Sequence, residues 1–134
     1  DVIAFFESNF PDALALMPTL TKDFFKNPTG SIATIKCSPW HVGGNALLIG
    51  DAAHAIVPFY GQGMNCGFED CTILEQIMQQ ENGWETIFKK FETARKPNSD
   101  AIAELALQNF IEMRDLVGDP KFILRKKIEK PLVA

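Results

Sequence analysis

Several signatures are missing from this sequence, and each absence excludes a class of function. Its three cysteines, Cys37, Cys66 and Cys71, form no C-x-x-C pair, and an odd count argues against a disulfide framework. A reducing compartment is therefore expected. The two histidines, His41 and His54, add no metal-ligand spacing, so no metal site is expected. Positive charge is scarce: a net charge of −4 leaves no basic face with which to neutralise phosphates, which excludes a nucleic-acid binder. The one basic run, Arg125-Lys126-Lys127 with Lys130, is interrupted by Ile128 and Glu129 and reads as the solvated side of a helix. No apolar run approaches the roughly 20 residues that span a bilayer, and no charged-then-apolar leader opens the chain, so no membrane segment is expected in this piece. Internal repeats and low-complexity segments are absent as well.

What is present reads as a globular core. At 134 residues, 46% hydrophobic against 22% charged, there is enough apolar surface for one domain and too much for a disordered chain. Both ends fall inside patterns: Asp1-Val2-Ile3 starts within an apolar helical repeat, and Pro131-Leu132-Val133-Ala134 stops without a polar tail, as expected of an internal piece of a longer chain. Helical spacing of Val2, Ile3, Phe5, Phe6 and Phe10 predicts a first helix, and Pro11-Asp12 opens a second that runs to Met17. Ser31–Cys37 alternates with β-branched residues and predicts a strand ended by Pro39. His41–Asn45 is expected to turn, and Ala46–Ile49 to form a buried strand of a parallel sheet. A helix from Gly63 to Gln80 should bury Phe68, Ile73, Leu74, Ile77 and Met78. Glu81-Asn82-Gly83 should break it. A helix from Trp84 to Arg95 should then bury Ile87, Phe88, Phe91 and Ala94, with a new start at Pro97-Asn98-Ser99-Asp100 for a long helix to Val117. Gly118-Asp119-Pro120 stops that helix before a last one from Lys121 to Lys130. The fold class is α/β: part of a Rossmann-like fold, mainly helical with a few strands. Its divisions are 1–44 (a connecting region), 45–96 (strand, Gly-Asp loop and helix) and 97–134 (further helices).

The informative stretch is Leu47–Asn65, in which a buried strand delivers Gly50-Asp51 at its carboxyl end and a Gly-rich turn opens a helix. Ligands of open α/β sheets bind at such strand ends. Gly50 permits close backbone approach, and the Asp51 carboxylate can accept hydrogen bonds from sugar-like hydroxyls. Gly61, Gly63 and Gly67 keep side chains away from the helix start, so the free N–H groups near Gly63, Met64 and Asn65 can face an anion. A lone Gly-Asp would read as a strand-end cap followed by turn glycines.

The string GDAAHAIVPFYGQGMNCGFED is not a lone Gly-Asp. It resembles the Gly-Asp motif and following helix of the class A flavoprotein monooxygenases, with Gly50, Asp51, Ala52, Ala53, His54, Pro58, Gly61, Gln62, Gly63, Asn65, Glu69 and Asp70 all in register. That resemblance implies a flavin-binding monooxygenase fold of the GR2 type. Asp51 would then bind the ribityl hydroxyls of FAD, and Met64 and Asn65 would meet the pyrimidine end of the ring through backbone N–H groups. Gly50, Pro58, Gly61 and Gly63 would complete the cofactor set. His54 is expected to hydrogen-bond locally and fix the loop rather than act in catalysis. Pro58 and Phe59 would shape the substrate cavity.

Asn109-Phe110-Ile111-Glu112-Met113-Arg114-Asp115 narrows the resemblance to the members of that family which hydroxylate L-kynurenine. It implies Asn109, Glu112 and Met113 as substrate-side residues, NADPH and O2 as co-reactants beside FAD, and no side chain acting as a nucleophile. Spacing alone is equally satisfied by Met113 packing in a core with Glu112 and Arg114 in solvent. The G-x-G-x-x-G fingerprint that holds the FAD pyrophosphate in this class does not occur. The family reading admits a homodimer. It also admits either a cytoplasmic location or, in a eukaryote, the mitochondrial outer membrane through a segment outside this chain. Two alternatives stand beside it: another aromatic or quinone-precursor hydroxylase of the same flavin class, and a non-catalytic, self-associating helical fragment.

Overall fold

The structure, a computed structural model, describes the backbone of residues 1–133 and the side chains of residues 1–129. It divides into two compact units, Asp1–Ser31 and Ile32–Ala134. In the first, α1 (Val2–Asn9), α2 (Pro11–Leu14) and α3 (Leu20–Lys26) follow one another. The Asp1 carboxylate accepts the N–H of Ile3 at 3.1 Å, satisfying one of the donors that a helix start leaves free. Pro11 opens α2 at the position where its missing N–H matters least. The rings of Phe5 and Phe6 (centroids 5.8 Å apart) and of Phe6 and Phe10 (5.7 Å) gather on α1 and its exit. Helix α3 had no sequence signal. Its adjacent Phe24 and Phe25 are both exposed and trace no apolar stripe.

The second unit corrects both expected strands. Ser31–Cys37 carries no ladder, because a strand exists only against a partner. Its one backbone bond among the described residues runs from Ile35 N–H to the Ala55 carbonyl, at 2.9 Å. Ala46–Ile49 is not a buried parallel strand either. Instead β1 (His41–Val42) and β2 (Ala46–Leu47) form a short antiparallel hairpin in the register His41 to Leu47 and Val42 to Ala46. So His41 and Val42, expected in the turn, belong to the ladder. Gly43, with φ of 52°, lets the three-residue turn close. Gly44 is required for a different reason: a Cβ there would lie 2.9 Å from the backbone nitrogen of Glu85 and 3.2 Å from Trp84 Cβ. The hairpin thus lies directly on Trp84 and Glu85, where the long helix Trp84–Ile111 starts.

Trp40, Ala53 and Phe91 form the buried centre, with Cys37, Leu47, Ile49, Ile73, Leu74 and Ile77 packed around them. Burial of each large apolar side chain contributes roughly 1.5–3 kcal/mol. Trp40 also satisfies its polar atoms: Nε1 donates to the Cys37 carbonyl at 3.1 Å and the backbone N–H to Glu92 Oε2 at 3.0 Å. Helix α4 (Asp51–His54) carries Ala53 into this centre, and a 3-10 turn, Pro58–Tyr60, leads to α5 (Gly63–Gln80). The bounds of α5 match the sequence reading, but its buried set does not. Cys66 and Asp70 are the buried residues, Ile73, Leu74 and Ile77 are half-buried, and Phe68 and Met78 are exposed.

Helix α6 (Trp84–Ile111) is the largest correction, since one continuous helix of 28 residues replaces the two expected on either side of Pro97. Ile87, Phe91, Arg95, Ser99, Ala103 and Ala106 are all buried, at steps of four and then three residues, so one stripe continues past the proline on the opposite side of the helix. Pro97 takes the donor away from the Thr93 carbonyl, and Pro97 and Thr93 are both exposed to water. Asn98 and Ser99, expected as caps, instead donate back within the helix to the carbonyls of Ala94 (3.5 Å) and Arg95 (3.2 Å). Ala94, expected inside, is exposed, and Phe88 is half-buried. A π-helical turn, Glu112–Leu116, ends α6, with Val117 N–H on the Glu112 carbonyl at 3.1 Å. Asp119 then caps α7 (Pro120–Val133) by accepting Lys121 N–H at 2.8 Å.

Candidate flavin and substrate site

The Gly-Asp turn is held by one buried carboxylate. Gly50 takes φ 60° and ψ −141°, a backbone state that favours glycine, and its carbonyl accepts the N–H groups of Ala53 (2.9 Å) and His54 (3.0 Å) to start α4. From α5, Asp70 Oδ2 accepts the Gly50 N–H at 3.0 Å and meets His54 Nε2 at 2.6 Å. A carboxylate only accepts, so Nε2 carries the proton in this pair. Asp70 Oδ1 accepts from Arg95 Nε at 2.7 Å. The same guanidinium reaches Glu69 Oε2 at 2.7 Å and the Cys66 carbonyl at 3.4 Å. His54, Asp70 and Arg95 are all essentially removed from water. Burial opposes the Arg95 charge, but hydrogen bonding to Asp70 and the attraction of Asp70 and Glu69 outweigh it and hold the guanidinium above its usual range. Burial likewise pushes the Cys66 thiol up, against the pull of Arg95. His54 therefore fixes the loop, as its sequence context suggested, through a partner on α5 rather than within the loop.

Asp51, at the first position of α4, is exposed, and its carboxylate meets no partner among the described residues. Nothing lies within 4 Å of where a Cβ would stand on Gly50, Gly61, Gly63 or Gly67, so these positions leave an open ledge. Gly61, with φ of 67°, turns the chain into α5. Gln62 precedes α5 without a side-chain cap, and its side-chain carbonyl accepts from Asn65 Nδ2 at 2.9 Å. The N–H groups of Gly63, Met64 and Asn65 meet no acceptor among the described residues, which leaves the positive end of an 18-residue helix free. An unpaired carboxylate, an uncluttered ledge and free N–H donors fit a group that combines a polyol chain with an electronegative ring edge, and FAD is such a group.

On the substrate side, the structure brings Phe59, Asn109 and Met113 together. Asn109 Nδ2 donates to the Phe59 carbonyl and lies 3.6 Å from Met113 Sδ. Phe59 and Phe110 pack with ring centroids 4.5 Å apart. Pro58 begins the 3-10 turn that carries Phe59 and is itself exposed. Glu112 is drawn elsewhere, to Lys126 of α7 at 3.1 Å. The helical i, i+3, i+4 face expected for Asn109, Glu112 and Met113 crosses from α6 into the π-helical turn, and Glu112 takes no part in the contacts that Asn109 makes. A concavity of 730 Å³, lined by Ile77, Glu85, Thr86, Lys89, Lys90, Thr93 and Ala94, contains none of these residues. Its lining offers lysines, threonines and one glutamate on a helix surface, whereas the candidate site has the donors and the unpaired carboxylate. Chemistry rather than volume therefore marks the candidate site.

Sequence reasoning did not single out Arg95. Its signal was present: an arginine at the four-residue step between Phe91 and Ser99, in the middle of a stripe of apolar and small residues.

Comparison with known proteins agrees with the geometry. Kynurenine 3-monooxygenase of Myxococcus xanthus (strain DK1622) is 61% identical over 130 residues, 97% of this chain and 28% of that protein. The enzyme of the same name from Flavobacterium psychrophilum is 58% identical over 130 residues, 96% of this chain and 29% of its own length. That of Dictyostelium discoideum is 49% identical over 138 residues, 93% of this chain and 30% of its own length. The chain thus spans about three tenths of the length of the curated relatives it matches. The FAD binding domain family matches residues 12–106, which take in the Gly-Asp turn, all of α5 and the Arg95 clamp. With residues 12–106, most of its length, matched, the chain belongs to the FAD binding domain family.

Proposed function

We propose that this chain is the part of an FAD-dependent aromatic monooxygenase that closes over the flavin and the ring of its substrate, and that the complete protein hydroxylates L-kynurenine to 3-hydroxykynurenine with NADPH and O2. The observation that carries the reading is the Gly-Asp turn, with its unpaired Asp51 beside the uncapped start of α5, in a chain 61% identical to a kynurenine 3-monooxygenase. Asp51 would accept hydrogen bonds from the ribityl hydroxyls. The N–H groups of Gly63, Met64 and Asn65 would donate to the electronegative edge of the ring, where a helix start stabilises negative charge by about 0.3–2 kcal/mol. When bound and reduced by NADPH, FAD supplies the activation of dioxygen for transfer of one hydroxyl to an aromatic carbon.

The chain's own residues orient and enclose. Asn109 holds the Phe59 carbonyl, so the loop over the ring is fixed to the end of α6. The Phe59–Phe110 pair offers an apolar wall that keeps water from the reacting centre, and Pro58 and Met113 extend it. No side chain in this arrangement is required as a nucleophile or proton carrier, and we assign none. Glu112, paired to Lys126, contributes to the shape of the substrate side through α7. No helix among the described residues is long and apolar enough to cross a membrane. A cytoplasmic site is the natural one for a bacterial-type enzyme, and in a eukaryote the mitochondrial outer membrane would be reached through another segment. Sedimentation of the complete protein reads whether two copies pair.

The test is the visible spectrum of the complete protein, with NADPH oxidation followed in the presence and absence of L-kynurenine. Bound flavin, kynurenine-stimulated oxidation and 3-hydroxykynurenine as product are expected. Bound flavin that ignores kynurenine would leave another aromatic substrate of the same chemistry, and a colourless protein would refute the proposal.

A further inference from the structure

A single oxygen atom, Asp70 Oδ2, receives both ends of the Gly-Asp turn: the Gly50 N–H at 3.0 Å and His54 Nε2 at 2.6 Å. Between those two anchors stands Asp51, exposed and without a partner among the described residues. The other oxygen of Asp70 is taken by Arg95 at 2.7 Å, and the guanidinium fork is completed by Glu69 and the Cys66 carbonyl. A Cβ built on Gly50 would meet no atom within 4 Å, so the approach to the turn is open. Ala53 and His54 pack beside Trp40 in the core, and the side-chain hydrogen bonds that hold the two ends of the turn converge on one buried carboxylate.

We infer that Asp70, gripped by Arg95 of α6, is a positioning residue for cofactor binding: it clamps the Gly50–His54 turn so that Asp51 meets the polyol chain of the flavin. The inference rests on the flavin reading above and adds residues that touch no ligand. It also gives α6 a double duty, because the helix whose far end holds Asn109 against the Phe59 loop is the one whose middle holds the turn. A purely structural ion pair would serve stability and leave Asp51 indifferent to it. A positioning residue makes its contribution through Asp51, and the two are separable by a double-mutant cycle.

The measurement is FAD affinity of the complete apoprotein, titrated by quenching of flavin fluorescence, for the wild type, Asp51→Ala, Asp70→Asn and the pair together. Asp70→Asn is expected to weaken FAD by about tenfold in the wild-type background and by less than about twofold once Asp51 is alanine. An equal loss in both backgrounds, or none in either, would overturn the inference while leaving the flavin reading intact. A wild-type protein that binds no FAD would take both down. Removing one partner of a buried pair can unfold a protein, so the same cycle is run with Arg95→Met/Asp70→Leu, which removes both charges at once, and with Arg95→Lys, which keeps a cation but loses the fork. Weakened FAD that is coupled to Asp51 is expected in both, with Arg95→Lys the milder. Wild-type affinity in folded Arg95→Met/Asp70→Leu protein would again overturn the inference.

Discussion

Replacing Pro97 with alanine should stabilise the protein, an outcome opposite to the one the sequence pattern implies. Proline in a helix interior costs about 3 kcal/mol relative to alanine, through the lost N–H and the clash with the preceding turn. Here the lost bond is to the Thr93 carbonyl, and neither Thr93 nor Pro97 is buried, so water already meets part of that need. The proline also restricts the unfolded chain, an advantage of about 0.4–1 kcal/mol that alanine forfeits. No buried contact is lost, because the stripe from Ile87 to Ala106 runs on the other side through Arg95 and Ser99. The net expectation for Pro97→Ala is a gain of about 1–2 kcal/mol, read as a higher urea midpoint of the complete protein at unchanged m-value. Ser99 Oγ gives a control: its bond to the Arg95 carbonyl lies within the same helix, and Ser99→Ala should cost no more than about 1 kcal/mol. If Pro97→Ala lowered the midpoint, the helix would break at Pro97, with Asn98 or Ser99 capping a second one, and the continuous α6 would be wrong.

Other perturbations probe the remaining elements. Gly44→Ala places a Cβ 2.9 Å from the Glu85 nitrogen, a backbone atom that cannot swing away, and should destabilise by about 1–3 kcal/mol in the same denaturation assay. Cys71 is exposed and should react readily with a maleimide, whereas Cys66, buried and with its thiol pushed up by that burial, should stay unlabelled in mass spectra until the protein is unfolded. Because the folded Cys66 thiol ionises above its ordinary value of 9.0, its contribution to stability is complete below that pH and is lost as pH climbs through the folded value; Cys66→Ala should flatten the alkaline limb of a stability-against-pH curve. Asp51→Ala should weaken FAD binding, so that the complete protein is isolated with a lower flavin content, whereas Asn109→Ala should raise KM for L-kynurenine with flavin content retained. Loss of flavin from Asn109→Ala would make Asn109 a structural residue of the loop.

Much of the candidate site was legible because its determinants are local. Glycine at a positive-φ turn, an aspartate after a short apolar run and a helix that starts without a cap are properties of neighbouring residues, and Gly50, Asp51, Gly61 and the start of α5 follow from them. The helix bounds of α1 and α5 follow from periodicity in the same way. The pairing of Asn109 with the Phe59 loop was implied as a shared site by resemblance, but the bond itself joins residues 50 positions apart.

The sequence by itself determined the ledge and its donors: which residues carry the carboxylate, the free N–H groups and the glycines that keep the approach clear. Only the tertiary structure decided what orients them. Asp70 joins Gly50 and Arg95 across 20 and 25 residues, and a charged residue reads locally as solvent-facing until its partners are known. The same holds for the strands and the proline. Ser31–Cys37 has strand composition without a ladder partner, and Pro97 has a breaker's chemistry inside a helix whose buried stripe continues on its other side. Local propensity is worth about a kcal/mol per residue, or about three for proline, while a buried stripe of six residues against a neighbouring helix outweighs it.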